Sequence, residues 1–278
     1  MTRDLVDVFG LRPFAGNPLG VVHGAEGLDT EAMLGLTRWL GFSETTFLLP
    51  PSDPAADYRV RIFYPAGELP FASHPTLGTC HAWLAAGGKP KRAGVVMQEC
   101  GVGLIEVRQE GELLSFRAPA LTRSGALSDE ELTEALRVSG ARREAVVEAV
   151  HVANGPKWQL LRLASAADVL AAEPAAKAPV GTDVGLAGPG AEGADWELRA
   201  FFANGLGQIC EDPVTGSFNA GVAMHLFASA LASRSYVAAQ GQKTGANGRV
   251  HCRIDPDGSV WIGGRVDMIA AGASLPAL

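Results

Sequence analysis

The sequence predicts an α+β fold built from two similar halves, each an antiparallel β-barrel wrapped round one central helix. Three observations predict it. Short strand-like stretches bounded by turn residues recur along the chain, each half contains one helix that opens through a Pro-, Thr- or Ser-containing turn, and the parts follow in a similar order. We place the two pseudo-symmetric domains at residues 1–120 and 121–278. Whether the last strand returns to the N-terminal domain is left open.

The N-terminal half opens with a strand-like stretch at Leu5–Phe9, and its first predicted helix covers Thr30–Leu40, where apolar residues recur at helical spacing. Asp29 can cap the start of this helix, and Gly41 follows its end. A second helix is predicted to begin near Pro75, since proline suits a first helical turn. The further predicted strands of this half are Phe47–Leu49, Tyr58–Phe63, Val95–Gln98, Leu104–Arg108 and Leu113–Arg117.

The C-terminal half shows the same kinds of element. A capping-box pattern from Ser128 to Glu131 opens a helix that ends at Gly140. A second helix, from Phe218 to about Ala232, is apolar on nearly all sides and must therefore be surrounded by protein. Residues 171–195 are rich in Ala, Gly and Pro and are predicted to form a loop. The predicted strands are Val146–His151, Trp158–Leu163, Leu198–Phe202, Val250–Ile254, Val260–Ile262 and Val266–Ile269.

Composition excludes several classes of protein. The 278 residues, 47% hydrophobic and 19% charged, are typical of a globular chain that can bury a large core. With a net charge of −7 and basic residues clustered no further than Lys89–Arg92, we expect no nucleic-acid partner. The chain has no apolar run long enough to span a membrane and no secretory signal, so we expect a cytoplasmic protein without membrane contact.

Glu44 is the first candidate for chemistry. It lies between the end of a predicted helix and the apolar run that begins at Phe47, within the segment Ser43–Phe47. A carboxylate in partly apolar surroundings can take up and return a proton near neutral pH. The alternative is an ordinary solvated glutamate at a helix–strand junction.

The second candidate is the helix start formed by Ser73, His74, Pro75 and Thr76. The unpaired N–H groups and partial positive charge of such a start suit a substrate carboxylate. His74 could orient the substrate or pass a proton, although a capping or packing histidine is the alternative.

The third candidate is the segment Cys210–Asn219, where Asp212 precedes a second helix start at Gly216 and Ser217. Acidic residues here can simply cap a helix, but that does not explain two such starts at matching places in the two halves. If the domains face each other, both starts would point into one cleft and would favour deprotonation next to a bound carboxylate.

Thiol, metal and nucleotide chemistry find little support. Cys80 is expected inside a helix as a small buried residue, and no second thiol stands beside His74 to pair with Cys210. No ligand spacing indicates a metal site near Cys80 and His81. Dinucleotide-binding, phosphate-loop and serine-hydrolase motifs are missing from the sequence. We therefore expect neither a metal nor an organic cofactor.

The candidate segments together resemble the phenazine-biosynthesis PhzF-like family of the diaminopimelate-epimerase-like fold. The matching stretches are Val6–Phe9 with Arg12–Pro18, Ser43–Phe47, Glu68–Gly78, Asn154–Pro156, Glu211–Ser217, Gln240–Gly241 and Gly248–Arg249. The resemblance implies two barrel domains with the site between them, a cofactor-free isomerase, and a homodimer. It also implies that Glu44 shuttles a proton and that His74, Asp212 and Ser217 belong to the site. Ser73 stands where the family usually has Gly, and Phe218 where a small residue is usual, so both are expected to alter the pocket.

The working hypothesis is an isomerase that moves a proton on a small carboxylate-bearing metabolite. Glu44 is its general acid/base, His74 and Asp212 hold and polarise the substrate, and Ser73, Pro75, Thr76, Gly216 and Ser217 contribute to substrate binding. Asn17, in a Gly-Asn-Pro turn, is a further candidate for substrate contact. Two alternatives remain open: a racemase or epimerase acting at one stereocentre, and a catalytically silent protein that binds a metabolite.

Overall fold

In the computed structural model, which describes residues 1–276, contacts divide the chain into two units. Unit 1 contains Met1–Arg117 and the segment from Gly263 onward, and unit 2 contains Ala118–Ile262. The long strand β17 (Val260–Ser274) therefore supplies its first residues to unit 2 and the others to unit 1. The sequence analysis divided β17 into two separate strands, whereas it is continuous.

Unit 1 is a closed β-barrel with one helix inside it. Its strands are β1 (Thr2–Val8), β2 (Asn17–His23), β3 (Thr45–Leu49), β4 (Tyr58–Tyr64), β5 (Gly67–Leu69), β6 (Val95–Cys100), β7 (Gly103–Glu110) and β8 (Leu113–Arg117). The ladder runs β1–β2–β3–β4–β6–β7–β8 and returns through β17 to β1. Closure removes the free strand edges that an open sheet would expose.

The strands and helices of unit 2 follow the same order. The strands are β9 (Arg123–Ala126), β10 (Val146–Ala153), β11 (Gln159–Leu163), β12 (Asp183–Pro189), β13 (Trp196–Ala203), β14 (Ile209–Asp212), β15 (Ser235–Gln240) and β16 (Gly248–Ile254). The ladder runs β9–β10–β11–β12–β13–β15–β16, and a hairpin then leads into β17. The predicted pseudo-symmetric α+β fold is confirmed. Strands β14 and β15 are additions that the sequence analysis did not predict.

Each central helix is also a crossover connection. Helix α2 (Ser73–Ala85) joins β4 to β6, which pair in parallel, and α5 (Gly216–Ala228) joins β13 to β15 in the same way. Parallel neighbours need such a crossover, so the barrels are mixed rather than purely antiparallel. Both helices are buried over most of their length and have no wet face, as predicted for the second of them. Helix α5 begins at Gly216, two residues before the predicted start, and ends at Ala228.

The other helices cover the outer faces of the strands. Helix α1 (Thr30–Leu40) packs on unit 1, with a small core that includes Met33, Phe47 and Phe63. Helices α3 (Asp129–Ser139) and α4 (Ala166–Ala171) pack on unit 2. Strands under these helices are buried on both faces, which is why β3 is apolar or small at every position. None of the helices in residues 1–276 is long and apolar enough to cross a membrane.

Strand β12 lies inside the segment that the sequence analysis predicted as a loop, so that prediction is wrong. A Cβ atom added at Gly185 would lie 2.2 Å from the ring of Phe218, and one at Gly188 would lie 2.4 Å from the carbonyl oxygen of Ser165. The small residues thus make room for α5 on one face of the strand and for the start of α4 on the other. A glycine-rich composition here reflects close packing rather than a flexible chain.

Candidate active site

Glu44 and His74 meet at one end of unit 1. Glu44 is the residue before β3, and His74 is the second residue of α2. Their atoms Oε2 and Nε2 lie 3.4 Å apart, and the two side chains are 19% and 6% exposed. This distance is longer than a usual hydrogen bond. The pair therefore leaves room for each group to engage a third molecule, while the two groups remain close enough to influence each other electrostatically.

Local structure holds this pair in place. The left-handed residue Gly41 ends α1, so the chain turns back and delivers Glu44 to the start of β3. One turn further into α2, the Thr79 hydroxyl donates to Thr46 Oγ1 at 2.8 Å, which ties the helix to β3. The hydroxyl of Thr45 is fully buried and has no hydrogen-bond partner among the described residues. Such buried polar atoms normally find a partner, so this one marks a place where a polar ligand would be accommodated.

The imidazole of His74 is neutral in the folded protein at neutral pH. Burial lowers the pKa of His74 to about 3, because the charged form would lose its hydration. A neutral imidazole can either donate or accept a hydrogen bond, depending on its tautomer. His74 is therefore suited to polarise or orient a bound group, and it would not act as a permanent positive charge.

This neutral histidine predicts a pH dependence of stability. The pKa of His74 is about 3 in the folded protein and about 6.5 in an unfolded chain, so the unfolded state binds the proton first as pH falls. Stability is then complete above pH 6.5 and is lost progressively towards pH 3. Between about pH 7 and pH 5 we expect the unfolding free energy to fall by about 2 kcal/mol more in the wild type than in His74→Gln. Urea unfolding at both pH values measures this, and an equal fall in both proteins would contradict a buried neutral His74.

The turn that carries Asn17 is built round a buried aspartate. The Asp7 carboxylate accepts the backbone N–H groups of Ala15 and Gly16, each at 3.0 Å from Oδ2. Burial raises the pKa of Asp7, although these hydrogen bonds act against the increase. A Cβ atom at Gly16 would lie 2.2 Å from the carbonyl oxygen of Val8, so glycine is required there. Asn17 follows as the first residue of β2 and is fully buried within unit 1.

The other predicted residues of this helix start are buried and partly engaged in hydrogen bonds. Ser73, Pro75 and Thr76 all lie in the first turn of α2 and are shielded from solvent. The Thr76 hydroxyl donates to the carbonyl oxygen of Ala72 at 2.8 Å and accepts from Gln98 Nε2 at 2.9 Å. Thr76 is therefore engaged in holding the helix start, a role different from the substrate contact that the sequence analysis predicted.

In unit 2, strand geometry separates two adjacent carboxylates. Glu211 and Asp212 are neighbours in β14, so their side chains point to opposite faces. Glu211 makes a two-pronged ion pair with the buried Arg199, at 2.9 and 2.8 Å, and is committed to structure. Asp212 Oδ2 instead accepts the hydroxyl of Thr215, the residue that caps α5, at 2.5 Å. Of the two acids, Asp212 is the one directed at the helix start.

Two residues that hold the start of α5 were missed as site residues. Trp158 Nε1 donates to Ser217 Oγ at 3.0 Å, and Asn154 Nδ2 donates to the Ser217 carbonyl oxygen at 2.8 Å. Asn154 belongs to a motif quoted above, but its role depends on a partner far along the chain. Phe218 is fully buried, with its ring centroid 5.2 Å from that of Trp158. Its contacts are those of a core residue, which does not support the expectation that it narrows a pocket.

The starts of the two central helices differ from those of the peripheral helices. The helices α1, α3 and α4 are capped by the side chains of Asp29, Ser128 and Ser165, and each has an acidic residue in its first turn. For α2 and α5, within residues 1–276, neither the N-cap side chain nor a first-turn acid supplies this compensation. The positive ends of both central helices therefore remain available for an external anion.

The cysteines do not offer an alternative nucleophile near His74. Cys80 is fully buried in α2, and burial raises its pKa to about 12, so the thiol remains protonated at neutral pH. Cys252 is equally buried, with its pKa raised to about 12. Among the described residues, no group of three or more His, Cys, Asp or Glu side chains is arranged to hold a metal ion.

Comparison with known proteins identifies the family. A sequence profile of the PhzC–PhzF family, described as phenazine biosynthesis-like protein, matches residues 6–271. The chain belongs to this family. The predicted family is confirmed.

Several similar proteins carry isomerase or epimerase names. The chain is 33% identical to trans-2,3-dihydro-3-hydroxyanthranilate isomerase of Pseudomonas chlororaphis, over 80% of this chain and 78% of that protein. It is 31% identical to antisense-enhancing sequence 1 of Schizosaccharomyces pombe, over 97% of each chain. The structure of a predicted epimerase from Pseudomonas aeruginosa is 27% identical and superposes with a TM-score of 0.80, over 99% of each chain. An isomerase of this family is the class of enzyme that was predicted, and it is confirmed.

Proposed function

We propose that this chain moves a proton on a small carboxylate-bearing metabolite by general acid/base catalysis, with its own side chains and without a metal or organic cofactor. The Glu44 carboxylate takes a proton from a substrate carbon, and the electron pair of that C–H bond passes into the conjugated system of the substrate. Glu44 then delivers the proton to a different carbon, which restores the carboxylate and leaves a positional isomer. His74 orients the substrate, and Asp212 and Ser217 contribute further polar contacts.

The observation that carries this proposal is the pairing of a partly exposed carboxylate with a neutral imidazole at the start of α2. Glu44 and His74 are 3.4 Å apart, and the low pKa of His74 keeps it uncharged. A neutral neighbour does not hold Glu44 permanently ionised as a buried cation would, so Glu44 can pass between its two protonation states. Membership of a family whose curated relatives include isomerases supports the same chemistry.

The helix starts supply the second part of the proposal. Loss of a proton next to a carboxylate places negative charge on that part of the substrate. The uncompensated positive end of a central helix stabilises such charge without rearrangement during the reaction. We therefore propose that the first turns of α2 and α5, including Ser73, Pro75 and Gly216, bind the substrate carboxylate.

The experiment uses the substrate named for the Pseudomonas chlororaphis relative as a probe. The wild-type protein is incubated with trans-2,3-dihydro-3-hydroxyanthranilate in D₂O, and the product is followed by NMR and mass spectrometry. We expect an isomer that differs in the position of a double bond and that carries solvent deuterium at the newly protonated carbon. Binding of this probe without any exchange would favour the silent binding protein and would overturn the proposal.

Epimerisation is the second candidate, because one structural relative is described as a predicted epimerase. It is distinguished by its product. An enantiopure substrate would give a mixture of stereoisomers, with deuterium at the original carbon and no change in double-bond position. That the chain forms a homodimer and works in the cytoplasm stays a prediction.

A further inference from the structure

Gln240 stands at the centre of the hydrogen bonds round Asp212. It is the last residue of β15 and is fully buried. Its Oε1 accepts the backbone N–H of Thr215 at 3.1 Å and Asn219 Nδ2 at 2.9 Å. Its Nε2 donates to Thr215 Oγ1 at 3.0 Å and to the Asp212 carbonyl oxygen at 3.1 Å. One amide thus uses both acceptor sites and both donors to join the end of β14 to the first turn of α5.

The chain on either side of Gln240 is shaped to bring it to this place. Gly241 has a φ angle of +103°, and a Cβ atom there would lie 2.6 Å from the carbonyl oxygen of Pro213. Across the β15–β16 ladder, a Cβ atom at Gly248 would lie 2.4 Å from a methyl group of Val214. Glycine at both positions lets β15 and β16 approach the turn between β14 and α5 closely.

Unit 1 contains a corresponding amide with fewer connections. Gln98 lies in β6, the parallel partner of β4, as β15 is of β13. Its Nε2 donates to Thr76 Oγ1, and its Oε1 accepts the hydroxyl of Tyr58 at 3.0 Å. Thr76 and Asn219 are the fourth residues of their central helices, so the two amides have equivalent partners. The bonds to the helix cap and to the end of the preceding strand are found with Gln240, and these reach Asp212.

The direction of the Thr215 hydroxyl follows from these contacts. A hydroxyl has one proton to donate. Because Gln240 Nε2 donates to Thr215 Oγ1, the hydroxyl oxygen acts as acceptor on that side, and its own proton is directed to Asp212 Oδ2. The chain of donors runs from Gln240 through Thr215 to the Asp212 carboxylate.

We propose that Gln240 is a positioning residue, which sets the orientation of the Asp212 carboxylate through Thr215 and through the Asp212 carbonyl group. This rests on the role of Asp212 in the proposed function. Gln240 itself does not contact the substrate. Its effect is on the placement of a group that does, and misplacement of such a group by about 1 Å can cost on the order of 10²-fold in rate.

Three variants test this. Gln240→Glu keeps the shape and the acceptor for Thr215 N–H and Asn219, but its carboxylate has no donor for Thr215 and competes for the Thr215 proton. Gln240→Met has no donor at any pH. Glu197→Gln is the matched control, since Glu197 is buried in β13 of the same unit, accepts from Gln242 at 2.8 Å, and takes no part in the proposed chemistry.

The first readout needs no substrate. In crystal structures at about pH 8 we expect the Asp212–Thr215 side-chain contact to be lost in both Gln240 variants and kept in Glu197→Gln. An unchanged Asp212 carboxylate in the Gln240 variants would overturn the proposal, whatever reaction the enzyme catalyses. This separates its failure from a failure of the proposed function, which the deuterium experiment on the wild type decides.

The second readout is the pH profile of turnover of the probe substrate trans-2,3-dihydro-3-hydroxyanthranilate. We expect kcat to fall about 10- to 100-fold in both Gln240 variants at about pH 8, with a smaller change in KM. As pH is lowered, the carboxyl group introduced by Gln240→Glu becomes protonated and regains a donor. This variant should therefore recover relative to the wild type, and Gln240→Met should not. A purely structural role would leave both variants with the same profile. Displacement of Asp212 with unchanged kcat would also contradict the proposal.

Discussion

Glu44→Gln is expected to lower the rate of solvent-deuterium incorporation by about 10²–10⁴-fold, the usual contribution of a positioned acid/base. The amide fills the same space beside His74 Nε2, which lies 3.4 Å from the native carboxylate, but it cannot take up or return a proton. Because Glu44 lies at a strand start and is partly exposed, the fold should be retained. Deuterium content of the turned-over substrate, measured by mass spectrometry, gives the effect directly.

The control for this variant is Glu31→Gln, the same exchange on the exposed side of α1. We expect its rate to equal that of the wild type, and the far-UV circular dichroism of all three proteins to agree. Undiminished exchange in Glu44→Gln would remove Glu44 from the mechanism. Loss of exchange in both variants would indicate that charge in this region, rather than proton transfer by Glu44, is responsible.

The largest effect on stability is expected at Gly221→Ala. Gly221 lies in α5, and a Cβ atom there would be 2.3 Å from the carbonyl oxygen of Val152 in β10. Backbone cannot move aside as a flexible side chain can, so the helix or the barrel strand must shift. We expect a loss of about 3 kcal/mol in unfolding free energy, in the range of overpacked cores. Urea unfolding followed by tryptophan fluorescence measures it.

Two further glycines serve as comparisons. Gly78 is the equivalent residue in α2, but the nearest atoms to an added Cβ are side-chain methyl groups of Leu19 and Val6, at 2.6 and 2.9 Å. A smaller loss is therefore expected for Gly78→Ala. Gly35→Ala, in α1 with open space around it, should raise stability by about 0.5–1 kcal/mol. Equal values for all three variants would show that close approach to the barrel wall does not govern these positions.

Local signals in the sequence predicted the peripheral helices best. The predicted bounds of α1, its cap at Asp29 and its left-handed end at Gly41 are all found in the structure. The capping box at Ser128 and Glu131 is found as well. These features depend on hydrogen bonds within a few residues, so the sequence contains all the partners.

Features that depend on distant partners could not be predicted in the same way. Strand β12 was predicted as a loop because its glycines are small for a reason that lies elsewhere in the chain, at Phe218. Glu211 and Asp212 could not be told apart until the strand phase and the partner Arg199 were known. The amide of Gln240 likewise takes its meaning from contacts made far earlier in the sequence. Glu44 and His74, in contrast, were brought forward by motifs and do lie together.

The crossover role of the central helices constrains how each unit can fold. Since α2 is the covalent link between β4 and β6, the wall of unit 1 cannot close until its own filling is inside it. Long-range strand pairing and helix burial must then be reached in one cooperative step, which favours slow folding with few stable partial structures. The final strand adds to this, because β17 pairs with β1 from the opposite end of the chain. A ribosome-bound chain therefore lacks a complete unit 1 until synthesis is almost finished, and unit 2 can acquire its own structure first.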